Sequence, residues 1–132
     1  MYIHLKIIGS LLILLASIHI IFPKYFKWSD ELKSLSLINK QMMTTHTFFI
    51  ALTVFLMGIL CLTSSNELVE TSLGRKVSFG FGVFWSIRIY FQWFIYSPKL
   101  WKGKRFETLA HIIFSVLWIY LSSSFLIIFF SN

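Results

Sequence analysis

The chain has 132 residues, of which 57% are hydrophobic, 19% aromatic and only 13% charged, where an ordinary soluble domain carries about 25% charged residues. A single small domain of this length cannot hide 15 Phe, 5 Trp and 5 Tyr from water, because small domains bury the smallest share of their surface. Lipid must cover the rest. The net charge of +7 falls between apolar runs, so a membrane surface is the expected partner and nucleic acid is not.

Four apolar segments follow in chain order, Ile3–Phe22, Thr44–Leu62, Val77–Tyr96 and Leu109–Phe130. Each is close to the ~20 residues that cross a ~30 Å hydrocarbon layer as a helix. The ~10-residue alternating segments of a membrane barrel are absent. The sequence therefore predicts an all-α integral membrane protein, a four-helix up-down bundle forming one transmembrane domain over residues 1–132. The start of the first segment carries only Lys6 and no small-residue cleavage site follows it, so a retained helix is expected rather than a removable signal. Pro23-Lys24 should end that helix.

The first connection, Phe26–Met43, places Trp28, Leu32, Leu35 and Met42 at helical spacing, with Lys27, Lys33 and Lys40 elsewhere on the wheel. Ser29 is a plausible N-cap, with Asp30 and Glu31 following it. The pattern suits a short amphipathic helix in the membrane interface, and a simple tether is the alternative. Basic residues of the first and third connections (Lys24, Lys27, Lys33, Lys40; Lys99, Lys102, Lys104, Arg105) outnumber Lys6, Arg75 and Lys76 on the other side. By the positive-inside rule both termini are then non-cytoplasmic, in a plasma or bacterial inner membrane.

A weak repeat runs through the chain. Pro23-Lys24 and Pro98-Lys99 are each followed by a Trp (Trp28, Trp101), and His46 and His111 each open the next helix. Two related helical hairpins would produce such an echo.

Ionisable groups inside a membrane are costly and are kept for function or pairing. Arg88 lies near the middle of the third segment, too deep to reach the interface easily, with Gln92 and Tyr96 one and two turns later. A guanidinium fork suits a carboxylate, a phosphate, a quinone oxygen or a haem propionate. It could equally lock the bundle internally, through helix carbonyls or a hydroxyl such as Thr53. Ser78, Gly82 and Ser86 form a small-residue stripe on another face, with Gly80 beside it serving the same packing.

An up-down topology brings His19, His46 and His111 to one layer, with Gln92 only slightly deeper; His4 lies at the opposite end. Two imidazoles could hold haem iron, and three could form an open zinc or copper site. No local ligand motif accompanies them. His111, Ser115, Trp118 and Ser122 share one face of the fourth segment, as do His46, Thr53 and Met57 on the second. Glu107 could orient an imidazole or act as a proton acceptor, or simply favour the helix dipole.

Hydrolytic triads, phosphate loops and dinucleotide glycine patterns are missing, and the lone Cys61 excludes an intrachain disulfide and a cysteine-rich zinc site. The favoured reading is a small redox-type membrane protein. In it His19, His46 and His111 hold haem or a transition metal, while Arg88, Gln92 and Tyr96 meet an anionic or quinone-like group. The alternatives are a non-enzymatic subunit of a larger membrane complex or homo-oligomer, and a membrane enzyme or carrier for a lipid-like substrate.

Overall fold

The computed structural model describes residues 1–131, which contain helices and no strand. The helices are α1 (Tyr2–Tyr25), α2 (Trp28–Glu31), α3 (Leu37–Thr63), α4 (Ser65–Glu70), α5 (Ser72–Tyr90) and α6 (Arg105–Ser131). A π turn at Phe91–Ile95 continues α5, and a 3-10 turn at Pro98–Leu100 follows. The chain divides into two compact units, Tyr2–Ser65 and a second from Asn66 onward.

Each unit is a helical hairpin. In the first, α1 packs antiparallel on α3: the Lys6 ammonium donates to the Leu62 carbonyl at the C-terminal end of α3, where a cation complements the helix dipole. Gly9 and Gly58 set the closeness of the pair. A Cβ on either would stand 2.8 Å from the other's carbonyl oxygen, so the two backbones touch where side chains would hold them apart. Buried positions cluster at this end: Leu5, Ile8, Leu12, Leu15 and Ala16 on α1, and Val54, Met57 and Cys61 on α3.

In the second unit, α5 packs antiparallel on α6. Phe79 meets Phe129 at 4.7 Å between ring centroids, and Phe81 meets Phe125 at 5.3 Å. A Cβ on Gly82 would stand 2.7 Å from the Leu126 side chain, so the small-residue stripe does carry helix contact. Gly80 does not share in it, since nothing lies within 4 Å of a Cβ there.

Three of the long helices, α1, α3 and α6, are long and apolar enough to cross a membrane. That result points to membrane localisation, and it differs from the four comparable spans expected from the sequence. The exception is α5, whose 19 residues include Arg75, Lys76 and Arg88. Hydroxyls along the long helices bond back to carbonyls four residues earlier, as Ser10, Ser17, Thr44, Thr47, Thr53, Thr63 and Ser86 do. That habit hides their polarity where no water is available.

Several helix ends move from their expected places. Helix α1 runs through Pro23 to Tyr25. The interfacial helix over Phe26–Met43 shrinks to the four residues of α2, entered through Lys27 in a left-handed conformation at φ 53°. Ser36 then caps α3, its hydroxyl accepting from the Asn39 amide at 3.4 Å, so residues 37–43 belong to the long helix. Thr71 caps α5 in the same way, accepting from the Gly74 amide at 2.9 Å.

Substituting Gly58→Leu should destabilise the first hairpin by about 1–3 kcal/mol, the usual cost of forcing volume into a filled contact. By contrast, Gly80→Ala should be neutral or stabilise by up to about 1 kcal/mol through helix propensity. Thermal unfolding of the purified protein in detergent distinguishes the two. An unchanged melting temperature for Gly58→Leu would show that the glycine contact does not hold the hairpin.

Candidate functional site

The polar groups of the α5–α6 hairpin assemble around one amide. Gln92 lies in the π turn, only 6% exposed. Its Oε1 accepts from Arg88 Nη1 and from Trp118 Nε1, both at 3.4 Å, and its Nε2 lies 2.8 Å from His111 Nδ1. The amide orientation follows from the chemistry of its neighbours. Guanidinium and indole nitrogens can only donate, so the oxygen must face them and the NH2 must face the imidazole. His111 Nδ1 therefore accepts, and in the neutral ring the proton sits on Nε2.

Aromatic rings enclose this network. The Arg88 guanidinium stands 5.2 Å from the Tyr96 ring centre and 5.1 Å from that of Trp118, distances at which a cation is attracted to the ring faces. Trp85 stacks on Trp118 at 5.0 Å with an interplanar angle of 10°. The Trp101 ring stacks on His111 at 3.8 Å and 13°. Its carbonyl accepts from the Thr108 hydroxyl, which ties the 97–104 connection to the start of α6. Trp93 Nε1 donates to the buried Ser115 hydroxyl at 3.0 Å.

Arg88 turns toward the C-terminal end of its segment. Helical side chains usually lean toward the N-terminus, yet its guanidinium meets Gln92 and Tyr96, both later in the chain. It reaches toward the connection that carries Lys99, Lys102, Lys104 and Arg105. Thr53, considered as an internal partner for it, donates instead to the Phe49 carbonyl of its own helix at 2.8 Å. Gln92 Oε1 is the hydrogen-bond partner of Arg88 among the described residues, and the guanidinium has no ion pair there.

The three histidines expected in one layer are divided between the two units. His111 belongs to the network just described. His19 is half-buried in α1, its Nδ1 donating to the Leu15 carbonyl at 2.8 Å, with its ring 4.8 Å from Phe22. His46 is exposed on α3. Among the described residues, no group of three or more His, Cys, Asp or Glu is placed to hold a metal ion. Glu107 is exposed in the first turn of α6 and makes no ion pair among the described residues.

The structure thus brings Arg88, Gln92, Tyr96 and His111 together, and Trp118 and Ser115 join them from the same face of α6. Trp93 and Trp101 were not foreseen. In an α-helix neighbours such as Gln92 and Trp93 point 100° apart, but the wider π turn lets both reach α6. Trp101 lies in a connection, where no periodicity marks a ring that will stack on a helix.

The inventory is one-sided. Arg88 and Trp118 donate to the Gln92 oxygen, Trp93 donates to the Ser115 hydroxyl and the Gln92 NH2 to His111 Nδ1, which leaves the His111 Nε2–H as a further donor. The guanidinium keeps most of its five N–H groups free of protein partners among the described residues. Such a surface recognises acceptors. No protein-family model, curated protein or solved structure matches the chain.

Replacing Gln92 with Leu should cost about 1–3 kcal/mol, because the guanidinium and the Trp118 indole lose their acceptor while still partly buried. A Gln92→Glu variant keeps that acceptor and places a carboxylate beside Arg88, so it should melt closer to the parent. Equal melting temperatures for all three proteins would remove the central role given to this amide.

Proposed function

We propose that this membrane protein binds, in its α5–α6 hairpin, the acceptor-bearing headgroup of a bilayer amphiphile: a carboxylate, a phosphate or a quinone carbonyl. One observation carries the reading. A half-buried arginine with no ion pair among the described residues sits between two aromatic rings, backed by a buried amide and beside an imidazole whose outer nitrogen donates. A charge left uncompensated at membrane depth is unfavourable, and an acceptor from outside the chain relieves it. Arg88 would grip the headgroup, His111 would donate a second hydrogen bond, and Gln92 would hold both in place.

Depth is consistent with an amphiphile rather than a water-soluble ligand. His111 stands six residues into α6, about 9 Å along the axis at ~1.5 Å per residue, and α6 is long and apolar enough to span a bilayer. By charge asymmetry, the connections at 26–36 and 97–104 face the cytoplasm and the termini the other side.

Titration of detergent-solubilised protein with a short-chain benzoquinone, and separately with dodecyl phosphate, should quench indole fluorescence, because Trp93, Trp101 and Trp118 border the site. Arg88→Gln should weaken the response at least tenfold, and His111→Ala by a smaller factor. Saturable quenching that is identical in the parent and Arg88→Gln would overturn the assignment.

A haem or metal centre is a second reading, and it rests on His19. Because Leu15 can only accept, the His19 Nε2 carries the lone pair a metal requires. His111 has the opposite arrangement, with Nδ1 already accepting from Gln92, so it would have to break that bond to ligate. A Soret band or stoichiometric metal in purified protein, lost in His19→Ala, would support this reading; their absence would remove it.

A further inference from the structure

Resting on the headgroup-binding reading, we infer that the acceptor is a phosphate diester, and that its source is an anionic phospholipid of the leaflet bordering the 97–104 connection. The argument begins with charge. A quinone carbonyl would satisfy the free donors but would leave the guanidinium charge uncompensated in a medium of low dielectric constant. A phosphate supplies both acceptors and the opposing charge, in a geometry that matches the planar fork of arginine.

The surroundings of Arg88 extend the same preference outward. Its guanidinium reaches along α5 toward the connection, where Lys99, Lys102, Lys104 and Arg105 are all exposed. Against these five cations stands one carboxylate, Glu107, and among the described residues none of the five is in an ion pair. A free cation at depth therefore continues into a cluster of cations at the membrane surface, which attracts acidic lipid.

The connection is also held close to the site. Trp101 is stacked on His111, the Thr108 hydroxyl bonds the Trp101 carbonyl, and Gly103 closes the turn at φ 78°. Lys102 and Lys104 flank that turn, so their ammonium groups ride on the same anchored segment. The phosphate would lie between the Arg88 fork and these lysines, with His111 Nε2–H donating from the α6 side. Acyl chains would run along the exposed apolar residues of the hairpin, such as Ile87, Phe94 and Ile112, which offer no competing polar contact.

The test uses full-length protein in nanodiscs of phosphatidylcholine alone, of an equal mixture of phosphatidylcholine and phosphatidylglycerol, and of phosphatidylcholine with inorganic phosphate in the buffer. The mixed discs should raise the melting temperature by several degrees over phosphatidylcholine alone, and native mass spectrometry should detect retained phosphatidylglycerol. Arg88→Gln should abolish the shift, and Arg88→Lys, which keeps the charge but loses the fork, should reduce retained lipid several-fold. The triple variant Lys99→Gln, Lys102→Gln, Lys104→Gln should lower retention without abolishing it.

An equal shift in the parent and both Arg88 variants would overturn the proposal, as would an equal shift from inorganic phosphate alone. No shift with phosphatidylglycerol, together with Arg88-dependent quenching by the benzoquinone, would reject the phospholipid and leave the broader headgroup reading standing. Loss of both signals would reject both.

Discussion

The arrangement of the second hairpin depends on one buried amide having a single oxygen for two donors. Arg88 and Trp118 share Gln92 Oε1, and that demand turns the NH2 group toward His111. The imidazole is thereby committed to accepting at Nδ1 and donating at Nε2. Two helices, a cation, an indole and a histidine tautomer are set by the orientation of one side chain. In a medium without water such constraints are strict, because an unbonded donor has no alternative partner. What remains outward is a surplus of hydrogen-bond donors and one positive charge, and the chemistry of the site follows from that surplus.

The sequence made the long helices visible but not their ends. Apolar runs mark where lipid is met, whereas helices continue until a cap stops them. Ser36 and Thr71 start α3 and α5 several residues before the apolar runs expected from Thr44 and Val77. The fourth span shows the reverse problem: α5 forms as a helix, yet its basic residues leave it outside the set long and apolar enough to cross by itself. Pairing with α6 was not visible in its composition.

The site was partly legible for a simple reason. Arg88, Gln92 and His111 are polar groups within or beside apolar runs, and an antiparallel hairpin brings residue numbers with similar sums to the same level. The histidine layer was less accessible to this reasoning, since shared depth does not fix which way a ring turns or what it meets. Buried contacts of the first hairpin concentrate at its Gly9–Gly58 end. His19 and His46 lie toward the other end, beside the connection, where packing does less to dictate their surroundings. The stack of Trp101 on His111 and the Trp93 bond to Ser115 depend on a turn and a π segment, which helical periodicity does not encode.

The close approach of Gly9 to Gly58 also bears on how the protein is made. Every residue needed for that contact, and for the lysine that caps the end of α3, lies within the first hairpin. Two helices that recognise each other through their own backbones can pair as soon as both have entered the bilayer, while the remainder is still being synthesised. The order in which the ribosome releases the chain then becomes the order of assembly, and the first hairpin needs no later segment to close its seam.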